Sequence, residues 1–365
     1  YKRQVQDDGT ITLEDKRTGR VYRGLGAIID SGDVGDTYDY SPPLRDNHVS
    51  EIEGKAKVQV VEKGPLYALM RIERKLIVPE SASRDRKSRS EKKVSIPVVT
   101  YVWITADSPV VNFETKLVNT AKDHKLRLIF PTRIEKGFIT ADMPYDYRKL
   151  SLDRRNLPFP HRNLLDISDG KTGIAILSHG LPEFEIMDTK GTIALTLVRS
   201  VRWLARDDLL TRKGDVGPKI LVPGAQSLGE HTFRYAVIPH RGKWTNAGIP
   251  GRVQQWLSGV RVVQAPPARG SLPPSLSFLH IQGDYDKVVV SAVKKSENGD
   301  AVIVRIYNPS DSTAKVLLKG WKAQLLQEVY TASMDEKPVE KIRQSARGAE
   351  VKLEPGKIVT LLLRV

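Results

Sequence analysis

Apolar and polar residues alternate with a period of two along most of this chain, and helical periodicity is scarce. In TITLED, Ile11 and Leu13 share one face while Thr10, Thr12 and Glu14 share the other. KRTG then turns the chain and RVY returns it, so the start is predicted as a β-hairpin. The segments VVTYVWIT, VVNFETKLVN, KLRLIFPT, TGIAILS, IALTLVRSV and HTFRYAVIPH read as strands of similar length, with breaks at DSP, SDGKTG and DTKG. Many strands separated by turn signals, with no amphipathic helices between them, predict antiparallel sheets packed on each other, an all-β fold. One stretch breaks the pattern. After Pro250, Val253, Trp256, Leu257 and Val260 fall at helical spacing, although Gly259 weakens the helix there.

The segment QAPPARGSLPPS, Gln264–Ser275, holds four prolines, which remove backbone donors and stiffen the chain. It is predicted as a linker over 264–275, between a large β domain over 1–263 and a small β-sandwich over 276–365. In the latter, Val302, Val304 and Ile306 alternate with Ile303, Arg305 and Tyr307, as in a half-buried strand that NPS closes with a turn. A length of 365 residues suits about two domains.

Composition adds limits. No apolar run reaches the ~18 residues of a membrane-spanning helix, so no membrane contact is expected. The chain opens on Tyr1 with no basic-then-apolar leader, the expectation for a processed chain or a fragment. Cysteine is absent, which rules out thiolate metal sites and fits a reducing, cytoplasmic setting. Lys and Arg outnumber Asp and Glu by 58 to 43, a net charge of +15. Such a balance attracts anionic partners, but it is also that of an ordinary lysine-rich surface. The densest basic run, SRDRKSRSEKK, has no aromatic residue for base stacking, so nucleic acid is a poor candidate partner. This run reads as a polar, mobile hairpin tip.

Recognisable catalytic motifs are missing. The seven histidines form no HxH or HExxH pair, and there is no GxSxG elbow, phosphate loop or GxGxxG turn. Asp123 with His124 could act as a pair, although a turn between strands fits the position better. Asp207 and Asp208 lie among Arg202, Arg206 and Arg212, the composition of a salt-bridged loop. Glu230 and His231 adjoin on a strand and point to opposite faces.

The stretch DSGDVGDTYDYSPP, Asp30–Pro43, is more unusual. Gly32 and Gly35 permit backbone shapes that other residues resist, and Pro42 and Pro43 stiffen the exit. Asp33, Asp36, Tyr38 and Tyr40 alternate acids with phenols. Carboxylates accept hydrogen bonds from sugar hydroxyls and aromatic faces cover the C–H side of the ring, so a sugar contact is one reading. An acidic loop that seals a sheet edge is the other.

The stretch DDGTITLEDKRTGRVYRGLGAIIDSGDVGDTYDYSPP resembles the start of the β-rich C-terminal half of glycoside hydrolase family 38 α-mannosidases. VNTAKDHKLRLIFPT, HRNLLDISDGKTGIAILSHGLPEFEI, IALTLVRSVRWLARDDLLTR and PGAQSLGEHTFRYAVIPH continue the likeness. VVVSAVKKSENGDAVIVRIYNPS and LEPGKIVTLLLRV extend it almost to the end. The resemblance implies a large galactose-mutarotase-like supersandwich followed by a small C-terminal β-sandwich. It also implies a partner: an N-terminal catalytic barrel with a helical bundle, in the same enzyme or as a separate subunit. That part would hold a zinc ion and the aspartates of a retaining mechanism on α-mannosides. This chain would then have no catalytic residue, bind no cofactor and be inactive alone. It would expose an apolar patch where the other domains dock. In the family a tyrosine-bearing loop of the β domain approaches the bound sugar. By that resemblance the substrate-binding residues are Tyr38 first, Tyr40 second, and Asp36 and Asp33 as loop holders or hydroxyl acceptors, the ligand being a mannose-containing carbohydrate. The alternative is a stand-alone carbohydrate-binding or mutarotase-like sugar epimerase protein.

Overall fold

The computed structural model describes residues 2–155, 157–267, 269–321, 326–345 and 348–364. The chain divides into two compact units. One comprises the residues up to Ala141 together with Lys149–Arg241; the other comprises Asp142–Arg148 and the residues from Gly242 onward. The architecture is all-β, as the alternation predicts. Among the described residues no helix is long and apolar enough to cross a membrane.

Among the described residues the first unit holds a three-stranded sheet of Lys2–Val5, Ile11–Asp15 and Arg20–Leu25 and two large antiparallel sheets. The larger has nine strands, in spatial order Asp146–Ser151, Phe138–Met143, Leu164–Ser168, Thr172–His179, Gly229–Arg241, Val111–Asn119, Lys93–Thr105, Tyr67–Pro79 and Lys57–Lys63. The smaller has five, in the order Pro158–Pro160, Glu183–Ile186, Thr192–Ser200, His124–Pro131 and Ala27–Gly32. Alternation explains the layer between them: Leu126, Leu128 and Phe130 of one strand join Phe184, Ile186 and Leu195 in a continuous core with Phe113, Ile176 and Val237 of the larger sheet. Tyr235 stacks on Phe113 at 4.9 Å between ring centroids. Its hydroxyl meets Thr115 Oγ1 at 2.9 Å, so its one polar atom is satisfied inside the core. The predicted N-terminal hairpin forms from Ile11–Asp15 and Arg20–Leu25.

The second unit is a smaller sandwich of a four-stranded and a five-stranded sheet. Val304, Ile306, Val316, Leu318, Leu353 and Leu361 fill it. The strand Val302–Tyr307 is less one-sided than its alternation implies. Ile303, on the opposite face, is also buried, against Ala301 and Leu362. The helix spans Ile249–Ser258 and stops at Gly259, whose φ of +63° suits glycine. Helical spacing therefore ends before Val260, which is exposed. The helix and the proline-rich segment after it lie in this second unit.

The basic run 83–93 differs from a free tip. Ala82 bridges Arg89, and the Arg89 side chain is buried in an ion pair with Asp30, while Arg86 reaches Asp208 at 3.6 Å. Part of the charge that reads as solvated in the sequence, that of Arg86 and Arg89, is committed to acids distant in the chain.

Candidate functional site

After strand Ala27–Gly32 the chain folds around two carboxylates. Asp33 Oδ1 accepts from the N–H of Gly35 at 3.0 Å and of Ser41 at 3.3 Å, and Oδ2 accepts from Arg199 Nε at 2.9 Å. Asp36 Oδ1 accepts from the N–H of Tyr38 at 3.0 Å and of Asp39 at 2.8 Å. Asp36 Oδ2 accepts from the N–H of Arg206 at 2.8 Å and from Arg212 Nη2 at 2.6 Å. Both side chains are almost fully buried. Burial pushes the Asp36 carboxyl up, but the Arg212 guanidinium and three backbone N–H groups more than offset it and hold it below the ordinary carboxylate value. The four oxygens of Asp33 and Asp36 are thus all engaged within the loop and its arginine neighbours.

The glycines serve close approach instead of an unusual backbone. A Cβ on Gly35 would stand 2.1 Å from the Asp39 carbonyl oxygen, and one on Gly32 would stand 2.8 Å from the Pro43 ring. Pro43 therefore packs directly on the strand end, and the loop closes on itself at Gly35.

Tyr38 and Tyr40 go opposite ways. Tyr38 projects outward and is 56% exposed. Tyr40 turns inward, its ring under Lys125 Nζ at 4.5 Å, and burial pushes its phenol up against the influence of the Ser31 hydroxyl. Beneath Tyr40 lies a charged row on the outer face of the five-stranded sheet. Lys125, fully buried, pairs with Glu183 at 2.6 Å and with Glu185; Arg127 Nη1 donates to Glu185 at 2.7 Å and Arg127 Nη2 to Ser31 Oγ at 3.1 Å. Burial raises Glu185, but Lys125 and Arg127 outweigh it and leave the carboxyl below its ordinary value. Burial and the Arg127 charge hold His48 down, in keeping with its Nε2 accepting from Arg127 Nη2 at 3.4 Å.

This row is not among the residues that the sequence singles out. Its signal is present as Lys-x-Arg in one strand and Glu-x-Glu in another, matched pairs of opposite charge at strand spacing. The other candidates separate. Asp123 binds Gln226 Nε2 at 2.7 Å and Arg202 at 3.2 Å, whereas His124 Nδ1 reaches Asp30 at 2.6 Å. Asp207 pairs with Lys219, and Asp208 with Arg206. Glu230 is exposed, and the His231 Nε2–H donates to the Ser227 carbonyl at 2.7 Å. Among the described residues no three His, Asp or Glu side chains converge as a metal site requires.

Comparison with known proteins agrees with this β-rich frame. Residues 1–209 match the glycosyl hydrolases family 38 C-terminal domain, and residues 287–361 match the glycosyl hydrolases family 38 C-terminal beta sandwich domain. The "Putative mannosylglycerate hydrolase" of Halalkalibacterium halodurans is 26% identical over 99% of this chain and 40% of its own length. Alpha-mannosidase G of Dictyostelium discoideum is 23% identical over 86% of this chain and 26% of its own length. A crystal structure of an alpha-mannosidase from Enterococcus faecalis superposes with a TM-score of 0.86 at 23% identity, over 99% of this chain and 41% of that one. The chain thus spans two fifths or less of the length of these curated relatives. It belongs to glycosyl hydrolase family 38 and carries that family's C-terminal β-rich domains.

Proposed function

We propose that this chain is the β-sandwich portion of a retaining α-mannosidase and completes the sugar site of a zinc-dependent catalytic domain. The observation that carries this reading is the contrast within one loop. Asp33 and Asp36 spend their oxygens on the loop backbone and its arginines, and Tyr38, between the turn that Asp36 holds and the Ser41 N–H that Asp33 holds, points outward with its ring exposed. An aromatic group on a backbone fixed at both ends suits a contact that must sit within a fraction of an ångström of a reacting sugar. Tyr38 then covers the C–H face of the mannose ring or donates its phenol hydrogen to a hydroxyl. Tyr40, Asp33 and Asp36 position it. The zinc ion and the reacting carboxylates belong to the catalytic domain, and this chain alone is inactive.

A second feature supports that partner. The edge strand Lys57–Lys63 exposes Val58, Val60 and Val61, and Leu66 beyond it is 73% exposed. An apolar edge of this kind invites cover, and the relatives have most of their length outside the matched region. The substrate is an α-mannoside, mannosylglycerate among the options, and the setting is cytoplasmic, as the lack of cysteine suggests.

The reading is tested on extract of the source cells with an antibody against this chain. The expected band lies well above 40.8 kDa. The purified native polypeptide should hydrolyse nitrophenyl α-mannoside, and Tyr38→Ala should lower kcat/KM about tenfold or more without unfolding it. A native polypeptide of 40.8 kDa that hydrolyses the mannoside unaided would overturn the proposal. One of that size that binds sugar without hydrolysis would point to the stand-alone binding protein.

A further inference from the structure

A groove of about 550 Å³ opens in the first unit beside Tyr38. Ligand pockets commonly span ~300–1,000 Å³. Tyr38, Phe159 and Phe233 form its aromatic wall, and Glu183, Thr196 and Arg199 contribute its polar groups. The two charged groups are each held from behind and open in front. Glu183 Oε1 accepts from Lys125 Nζ at 2.6 Å and from Thr196 Oγ1 at 2.8 Å, which leaves Oε2 without a partner among the described residues. Arg199 donates from Nε to Asp33 and from Nη2 to the Asp36 carbonyl at 3.0 Å, which leaves Nη1 without a partner among the described residues. The strand Thr192–Ser200, which carries Thr196 and Arg199, bulges beside the strand of Glu183: Thr196 pairs with Arg127 and Val198 with Leu126, so Leu197 is the extra residue. Such bulges re-aim neighbouring side chains and recur beside binding sites.

We propose that this groove is a saccharide subsite for the sugar ring on the leaving-group side of the α-mannoside. Glu183 and Arg199 hold neighbouring hydroxyls as acceptor and donor, and the aromatic wall covers the C–H face. An apolar aglycone would leave the open Oε2 and Nη1 buried without partners, at a cost that a hydroxylated ring avoids. A fixed carboxylate and a fixed guanidinium also lose little freedom on binding, which favours a ligand with paired, rigid hydroxyls. The inference rests on the reading of Tyr38 as a contact to the reacting mannose, since the groove continues from that side chain.

The test compares two substrates of the native polypeptide, α-linked mannobiose and nitrophenyl α-mannoside, the second lacking hydroxyls on its leaving group. In Glu183→Gln, Lys125 retains the amide oxygen, so the open acceptor becomes a donor. The expected result is a loss of about tenfold in kcat/KM on mannobiose, carried by KM, with less than a twofold change on the aryl mannoside. Phe233→Ala, which leaves the ion pairs intact, should weaken mannobiose by a similar factor. Equal losses on both substrates, or none on mannobiose, would overturn the subsite. If the native polypeptide cleaves neither substrate, the α-mannosidase reading fails, and the groove is decided separately by ligand-observed NMR. Saturation transfer from the 365-residue chain to mannobiose that Glu183→Gln abolishes upholds the subsite; transfer that is absent, or unchanged in the variant, overturns it.

Discussion

At the scale of single residues, acids that look alike in the sequence do different work because their partners lie far along the chain. Asp36 is the clearest case. Its two oxygens gather the N–H groups of Tyr38, Asp39 and Arg206 and the guanidinium of Arg212, so it ties the loop to a segment about 170 residues later. Asp36→Asn keeps the shape but loses the charge, and should destabilise the chain by about 2 kcal/mol, the scale of a buried hydrogen bond to a charged group. The pH dependence follows from the lowered pKa. A carboxyl held down in the folded state stabilises fully above its ordinary value of 3.8, and that contribution disappears as pH falls through the lower folded value. The gap between the parent and Asp36→Asn in urea unfolding should therefore be full at pH 7 and close as the pH is taken below the ordinary aspartate range. A gap that stays constant across that range would show that the charge of Asp36 does not matter to the loop.

At the scale of elements, strands were legible and their polar faces were not. Period-two alternation identified strands such as Val111–Asn119, His124–Pro131 and Thr192–Ser200 because one face of each meets the core, and burial on that face is what the pattern records. The opposite face of His124–Pro131 carries Lys125 and Arg127, which read as solvent-facing yet are buried, because the loop bearing Tyr40 lies over them. Alternation reports polarity, and cannot tell a wet face from an ion-paired one. The same limit hides the docking of Arg89 on Asp30 and the capture of Asp33 and Asp36 by Arg199 and Arg212. Tyr38 was legible as a candidate because a phenol amid acids and glycines is conspicuous; its outward direction depends on the fold. The charged row gives a direct test. Lys125→Met strands Glu183 and Glu185 with less compensation and should cost about 3 kcal/mol or more. Combined with Glu185→Met, it should cost less than the sum of the single changes by about 1 kcal/mol or more, read from urea unfolding of the four proteins. Strict additivity would mean that the two charges act independently.

At the scale of the whole molecule, the edge strand Lys57–Lys63 distinguishes a domain that works alone from one that is normally covered. All seven of its residues are exposed, and Val60 is 60% exposed on a strand that pairs on one side only, with Tyr67–Pro79. In isolation such a strand gains little from its valines, since side chains in water contribute almost nothing to stability. Val60→Lys should then change the unfolding free energy of the 365-residue chain by no more than about 0.5 kcal/mol. If the rest of a family 38 polypeptide lies against this edge, the same change places a charge in an apolar interface, where desolvation without a partner is costly. The native polypeptide carrying Val60→Lys should melt several degrees lower, a shift that ~1–2 kcal/mol produces in a domain of 150–250 residues. An equal, negligible effect in both proteins would leave the strand in solvent throughout, and the covering domain would have to dock elsewhere.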